Sequence, residues 1–354
     1  MPGAITKTTI QDIARELNIT ASTVSRALNG HAAISTATKE AVSITARKLN
    51  YRPNKIASSL RLGRTKIIGV IIPSAEINFF GSIVHGIQRV AREKDYSVLI
   101  YESNEQSDFE REGVETFLRS RVDGVLASIS KQTTRFDHYK ELHKRGVPLV
   151  LFDRVNDELA VPSVVVDDYL GAFNATQHLI DQGCRRIAHI GGQQHVPIFR
   201  KRLQGYLDAL KKNGLPVNKS WIKYGEVSIE SGSQCMQSML RGRTIPDAVF
   251  AVEDFTALGV IQALKDADLS IPGDVAVIGF ANEAFGQYIT PSLSTIDQQT
   301  ARMGEAAAQL FFDLIEKKIP AKAAPRQLVL EPVLVYREST AKQKASAEKY
   351  CGGS

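Results

Sequence analysis

From about residue 65 onward the chain alternates between short, continuous apolar runs and longer segments with helical spacing, and it does so to near residue 336. The first run, Ile67-Ile68-Gly69-Val70-Ile71-Ile72, is apolar at every position and rich in β-branched residues. A strand of that kind is buried on both faces, as in a parallel sheet. Helical periodicity follows over 79–94 through Ile83, Ile87, Val90 and Ala91. Strands are then expected at 96–101, 124–128 and 148–152, with helices at 108–119 and 136–145 between them. A second series places strands at 164–166, 187–191, 248–252 and 275–280. Its helices are expected at 171–182, 201–212, 230–241 and 256–267, then a late helix at 303–317 and short strands over 327–336. Repeated β-α units specify parallel sheets with helices on both faces. Two series in one chain predict two doubly wound lobes. The crevice between them, at the carboxyl ends of the strands, is the expected ligand site.

The first 66 residues are different in kind. Thr9 to Leu17 has Ile10, Ile13, Ala14 and Leu17 at helical spacing. Only Asn18 and Ile19 separate it from a second short helix, for which Thr20 is a suitable N-cap and Gly30 a suitable stop. Val24 and Leu28 share one face of that helix, while Ala21, Ser22 and Arg26 share another. Two short helices joined so tightly form a helix-turn-helix, whose second helix enters the DNA major groove. A third helix is expected from Ser35 to about Asn50, and Pro53 stops it. Asn54 can cap a short segment, 55–61, which is too short to be stable alone and lacks a broad apolar stripe. Such a segment is expected to form against a partner such as DNA. Charge agrees with this division. Residues 1–66 carry eleven Lys/Arg against Asp12, Glu16 and Glu40, a net +8, whereas the whole chain is +6, so the remainder carries −2. A basic head on a near-neutral body suits a polyanionic partner.

Other features narrow the class. No run approaches the roughly 18 apolar residues of a membrane span, and Met1-Pro2-Gly3-Ala4 lacks the apolar core of a signal peptide, so a cytoplasmic protein is expected. Cys184, Cys235 and Cys351 are odd in number and have no metal-ligand spacing; free thiols, no metal and no cofactor are expected. A solute-binding transport component is an alternative reading of the body alone, but it leaves the basic head without a use. A cleft enzyme is another. Asp153, Asp167 and Asp168 are isolated acids, yet no phosphate-binding glycine fingerprint, Gly-x-Ser-x-Gly turn or metal cluster accompanies them.

Several motifs occur in order along nearly the whole chain. They are Thr9-Ile10-Gln11-Asp12-Ile13-Ala14, Thr23-Val24-Ser25-Arg26-Ala27-Leu28-Asn29, Leu49-Asn50-Tyr51-Arg52-Pro53-Asn54 and Ala57-Ser58-Ser59-Leu60 in the head. In the body they are Phe152-Asp153-Arg154, Arg202-Leu203-Gln204-Gly205-Tyr206, Val277-Ile278-Gly279-Phe280 and Pro291-Ser292-Leu293-Ser294-Thr295-Ile296. Together they resemble the lactose-repressor (LacI/GalR) family of bacterial transcription regulators. The resemblance implies an all-α helix-turn-helix head with a hinge helix, followed by a two-lobed α/β body like a periplasmic sugar-binding protein. It implies a DNA-binding domain at 1–62, with the hinge helix at about 54–61, and an effector-binding and dimerisation domain at 65–340. Within the body, the N-lobe is expected at about 65–162 plus 297–325 and the C-lobe at about 163–296 plus 326–340. Residues 341–354 are expected to be a flexible tail without the leucine heptad that joins some relatives into tetramers.

The resemblance also implies a non-enzymatic homodimer, without a membrane partner, that represses transcription from a near-palindromic double-stranded operator. By carry-over, Ala21, Ser22 and Arg26 read bases, Thr20, Thr23 and Ser25 bond phosphates, and Asn29 completes the set. Arg26 can offer two parallel N–H groups to guanine O6 and N7. Leu60 matches the hinge-helix leucine that wedges into the minor groove and kinks the duplex. A carbohydrate-derived effector is expected in the cleft, contacted by Phe79, Phe80, Asp153, Arg202, Asp254, Asn282 and Gln298. Two departures stand out. The family often has Asn-Asp where this chain has Glu253-Asp254, and an acid after Gly-Phe/Tyr where this chain has Ala281-Asn282. With that acid gone, Asn282 is the expected substitute. Family effectors act in either direction, releasing DNA in some members and promoting binding in others.

Overall fold

The computed structural model describes residues 8–51, 64–317 and 326–341. The chain divides into two compact units, Met1–Thr65 and Lys66–Ser354. The hinge segment 54–61 with Leu60 lies outside the described residues, as do 342–354 of the expected tail.

The head consists of α1 (Ile10–Glu16), α2 (Ala21–Leu28) and α3 (Thr36–Lys48). Its core is small: Ile13, Ala14, Val24, Ala27, Val42 and Ala46, with Leu17, Ile19, Leu28 and Leu49 packed around them. Each helix starts on a hydroxyl N-cap residue. Thr20 accepts a hydrogen bond from the Thr23 N–H and Ser35 from the Thr38 N–H, while Thr9 and Asp12 form a capping box. Each helix also stops in the same way. Asn18, Gly30 and Asn50 adopt positive φ, and the next N–H returns to a carbonyl in the last turn: Ile19 to Ala14, His31 to Arg26 and Tyr51 to Ala46. The first of these stops sets the tight turn between α1 and α2. Asn is the side chain that tolerates this region best after Gly, so the Asn18-Ile19 link is a specified corner.

The body contains two parallel sheets. In the first lobe, β1 (Ile67–Ile72), β2 (Ser97–Glu102), β3 (Gly124–Ala127), β4 (Leu149–Phe152), β5 (Ser163–Val166) and β11 (Gln327–Leu330) pair in the order β11-β5-β4-β3-β1-β2. Helices α4 (Asn78–Glu93) and α11 (Thr300–Ile315) cover one face. Helices α5 (Ser107–Arg119) and α6 (Asp137–Lys144) cover the other. Side chains alternate as a pleated strand requires: Ile68, Val70 and Ile72 face the first pair and Ile71 the second. In the second lobe, β6 (Ile187–Gly191), β7 (Ile222–Tyr224), β8 (Ala248–Ala251) and β9 (Ala276–Ile278) pair in the order β7-β6-β8-β9. Its sheet lies between α7 (Asp168–Asp181) with α8 (Pro197–Lys212) and α9 (Ile229–Leu240) with α10 (Asp254–Asp266). Helices α4 and α11 approach closely through glycine. A Cβ at Gly86 would overlap the Ala301 carbonyl, and one at Gly304 the Ile83 carbonyl.

The lobe boundaries differ from those expected. The strand at 163–166 pairs with β4 and β11 in the first sheet, so the chain passes to the second lobe after Val166 and not after Pro162. Residues 327–330 likewise return to the first sheet, and only β12 (Val333–Val335) rejoins the second lobe, antiparallel to β10 (Thr295–Asp297). The reason is strand pairing: β5 covers the free edge of β4 before the chain crosses, and β11, on its return, covers the free edge of β5. Three neighbouring connections, 166–168, 297–300 and 330–333, therefore link the lobes.

Candidate DNA-binding face and effector cleft

On α2, burial divides the residues as an amphipathic helix should. Val24 and Ala27 are inside, whereas Thr20, Ala21, Ser22, Arg26 and Asn29 are exposed and Thr23 is half-buried. The Thr20 hydroxyl lies within hydrogen-bond distance of those of Ser22 and Thr23 at the start of the helix. Arg26 sits one turn later in the open. The helix N-terminus, with its free N–H groups, adds a favourable field for phosphate. Ser25, an expected phosphate contact, is only 8% exposed. The Asn29 side chain donates to the Ser25 carbonyl at 2.7 Å, so its amide also supports the helix end.

In the body, the carboxyl ends of both sheets meet in a cleft. In the first sheet β1 lies between β2 and β3, and in the second β6 lies between β7 and β8. These are the points where the connections diverge and leave a crevice. The cavity there has a volume of about 80 Å³. Ile77, Phe79 and Phe80 line it from the segment after β1, Lys131 from that after β3, and Asp153 and Arg154 from that after β4. Ile198, Phe199 and Arg202 line it from α8, Glu253 and Phe255 from the segment after β8, and Ala281 and Glu283 from that after β9. Gln298 reaches it from the β10–α11 connection.

Arg202 organises the second-lobe wall. It is 2% exposed and lies flat on the Phe280 ring, with its guanidinium carbon 3.6 Å from the centroid. Its Nε donates to Asp168 at 2.8 Å, Nη1 to the Val252 carbonyl at 2.7 Å and Nη2 to Gln298 Oε1 at 3.3 Å. Burial nevertheless pushes Asp168 up to about 6, against the pull of Arg202. Asp153 is buried in the first-lobe wall, has φ +59° and accepts from the Ser128 hydroxyl at 3.1 Å. Its carboxyl is also raised by burial. A non-glycine residue held in the left-handed region is costly, and such residues cluster at functional sites. Arg154 is bound to Glu105 at 2.6 Å and to the Ile129 carbonyl at 3.3 Å.

Hydrogen bonds cross the cleft. The Phe79 N–H, at the start of α4, donates to Glu283 Oε1 at 3.1 Å, and His195 Nε2 donates to the Lys131 carbonyl at 2.9 Å. Glu283 is held in turn, because its own N–H donates to Asp254 Oδ2 at 2.7 Å and the Thr295 hydroxyl donates to Asp254 Oδ1 at 2.7 Å. The chain of bonds thus runs from α4 through the cleft to β10, one of the strands at a lobe connection.

The N-terminal residues 9–54 match the family model for bacterial regulatory proteins of the lacI family, and residues 176–340 match the periplasmic binding protein-like domain. The chain is 34% identical over 311 residues to catabolite control protein A of Priestia megaterium, covering 88% of this chain and 93% of that one. It belongs to the lacI family of bacterial regulatory proteins. In structure it resembles the lac repressor dimer bound to operator and the anti-inducer ONPF, with a TM-score of 0.83, 25% identity and coverage of 94% of this chain and 99% of that one. It also resembles the transcriptional regulator CelR in complex with cellobiose, with a TM-score of 0.70, 31% identity and coverage of 94% and 100%. The lacI-family chain is thus a DNA-binding transcriptional regulator with a helix-turn-helix head and a periplasmic-binding-protein-like body. Among its described residues, no helix is long and apolar enough to cross a membrane.

Of the seven cleft residues expected in this regulator, Phe79, Phe80, Asp153, Arg202 and Gln298 come together around the cavity. Asp254 and Asn282 do not. Asp254 is 0% exposed and both its oxygens are engaged inside the second lobe. A Cβ at Gly279 would overlap its carboxylate, so the glycine in Val277-Ile278-Gly279-Phe280 makes room for it. Asn282 turns away as well. Its Nδ2 donates to Asp297 at 3.1 Å, and it accepts from Arg337 at 2.7 Å. Besides Asp153, the acids that line the cavity are their neighbours, Glu253 and Glu283. Sequence reasoning missed these two along with Lys131, Arg154, Phe199 and Phe255. One signal could have found Lys131, Arg154, Glu253, Phe255 and Glu283: each falls within four residues after an expected strand.

Proposed function

We propose that this regulator represses transcription as a homodimer on a near-palindromic operator, and that a small carbohydrate-class effector in the interlobe cleft switches that binding. In this reading the DNA-binding domain is 1–62, the effector and dimerisation domain is 65–340, and 341–354 is a tail. The protein acts in the cytoplasm on chromosomal DNA. One observation carries the proposal: a single chain joins an α2 whose outward face is free of the core to a two-lobed body with a cavity lined by aromatic and charged side chains.

Each α2 enters the major groove of one half-site. Arg26 takes a guanine bidentately, Ser22 exchanges one hydrogen bond with a base edge, and Ala21 meets a thymine methyl or lets the helix approach. Thr20 and Thr23 bond phosphates and set register. Asn29 belongs to the same DNA-facing set. Leu60 wedges into the minor groove at the operator centre, which favours a deformable pyrimidine–purine step. In the body, Asp153, Arg202 and Gln298 present polar atoms to the effector while Phe79 and Phe80 present ring faces. A cavity of about 80 Å³ is smaller than the roughly 300 Å³ at which ligand pockets begin. The effector therefore enters by parting walls that Glu283 and His195 now bridge, and that movement reaches β10 through Asp254 and Thr295.

The test is operator selection from random duplexes with the full chain, repeated over a range of salt and with a sugar panel. Enrichment of a palindrome, lost with Arg26→Ala or Leu60→Ala and weakening steeply as salt rises, is the expected result. Recovery of no sequence with or without the panel would sink the operator reading.

A further inference from the structure

The two signs of charge in the cleft are not equally free. Each cation at the cavity is already engaged. Arg202 is held by Asp168, the Val252 carbonyl and Gln298, and Arg154 by Glu105 and the Ile129 carbonyl. The Lys131 ammonium lies 3.5 Å from the other Glu105 oxygen. Glu253 and Glu283 are different. Among the described residues, no Lys or Arg lies within ion-pair distance of either. Glu253 caps α10 by accepting from the Phe255 N–H at 3.1 Å through Oε2, and Oε1 has no hydrogen-bond partner among the described residues. Around these acids stand Phe79, Phe80, Phe199 and Phe255.

We propose, resting on the effector reading above, that the effector carries no negative charge and gives a hydroxyl or ammonium hydrogen of its ring to Glu253. An anion would have to take Arg202 from Asp168, stranding a buried carboxylate, or lie against glutamates that have no Lys or Arg at ion-pair distance among the described residues. A hydrogen-rich edge meets the opposite situation, an acceptor oxygen without a bond. Aromatic faces beside it suit the C–H face of a sugar ring or an ammonium. The side chain itself narrows the class. As a carboxylate Glu253 only accepts, and as a neutral acid it still keeps an acceptor oxygen for a ligand hydrogen.

Protonation separates the two sources of such a hydrogen. Burial raises Glu253 to about 8, Asp254 and Glu283 add to the rise, and the Phe255 N–H and Arg202 oppose it. An ammonium bound there lowers it again, so binding near pH 7 releases a proton and strengthens toward pH 8. A neutral hydroxyl ligand leaves the proton in place.

The experiment uses the full chain and a bacterial small-molecule extract split by ion exchange into anionic, neutral and cationic fractions. Each fraction is scored by the shift in Tm and by the change in operator affinity. Activity in the neutral or cationic fraction is expected, and activity in the anionic fraction overturns the proposal. If all three are silent while the operator is still bound, the effector reading beneath it fails. Glu253→Gln keeps an oxygen for the Phe255 N–H. With far-UV spectrum and pH 6 Tm matching the unmodified chain, it is expected to respond to the active fraction at least ~10-fold more weakly, the factor that 1.4 kcal/mol of lost contact produces. An unchanged response removes Glu253 from the site. Titration of the active fraction in buffers of different ionisation enthalpy then reads proton release, present for an ammonium and absent for a hydroxyl.

Discussion

Arg26 in the head and Arg202 in the body are the same side chain under opposite conditions. Arg26 is exposed at the end of α2, and its guanidinium has no hydrogen bond or ion pair among the described residues. Arg202 is buried, stacked on Phe280 and bonded to a carboxylate, a carbonyl and an amide. A guanidinium whose fork is free is available to read another molecule. One whose fork is occupied holds its own fold together and meets a ligand only with what remains. Arg26 is therefore spare to the fold of the head, whereas Arg202 is part of the fold that shapes the cleft.

That contrast can be broken by experiment. The largest effect is expected for Arg202→Ala, which leaves Asp168 buried without its partner; the loss should reach ~3–5 kcal/mol in the urea unfolding of the body. A loss below 1 kcal/mol would mean that Arg202 is as dispensable to the fold as Arg26. Next comes Arg26→Ala, expected to lower operator affinity by ~10–100-fold, the range of one bidentate base contact. Its Tm should not move, and a clear drop would show that α2's outward face also supports the head.

A smaller effect is expected at the corner of the helix pair. Asn18 has φ +53°, so Asn18→Ala should cost roughly 1–2 kcal/mol of head stability. Asn18→Gly should cost much less, and equal losses would point to the side chain and not the backbone. The smallest effect concerns pH. Glu253 is raised in the folded chain from 4.5 to about 8, so the folded state holds a proton that the unfolded state releases. Stability contributed this way is present at low pH and is lost as pH rises toward 8. Below about 6.5 other groups obscure it: His189, lowered to about 4, acts in the opposite direction, while Asp168 and Asp254, near 6, act in the same one. Between pH 6.5 and 8.5, Tm should fall. Glu253→Gln should flatten that fall and raise Tm at pH 8.5 by about 2–4 °C, the shift that 1 kcal/mol gives in a domain of this size. A parallel fall in the variant would assign the slope elsewhere.

The head could be read almost completely because its signals are local. N-caps, positive-φ Asn and Gly stops, and the Val24/Ala27 face against Ala21/Ser22/Arg26 all occur within a few residues of one another. Ser25, at the edge of the buried stripe, is covered more than a phosphate contact was expected to be, and the hinge with Leu60 lies outside the described residues. The cleft could be read in part. Phe79, Phe80, Asp153, Arg202 and Gln298 reach it as expected, but they come from widely separated segments, and no local pattern says which member of an acidic pair faces the cavity. In Glu253-Asp254, the cap residue takes the opening and the next residue turns inward toward Thr295. In Asn282-Glu283, Asn282 is held by Asp297 and Arg337, leaving Glu283 to meet α4.

What the residues determined unaided is therefore the class of each unit: a basic three-helix head and a body of two parallel sheets. Periodicity, caps and charge act over a few positions and need no knowledge of the rest of the chain. Only the tertiary structure decided where the chain changes lobe, because β5 and β11 settle on whichever sheet edge offers unpaired backbone groups. It likewise decided which acids face the ligand. Burial and partners set that choice, and the partners come from other elements, 15 residues away for Asp297 to Asn282 and 204 for Phe79 to Glu283.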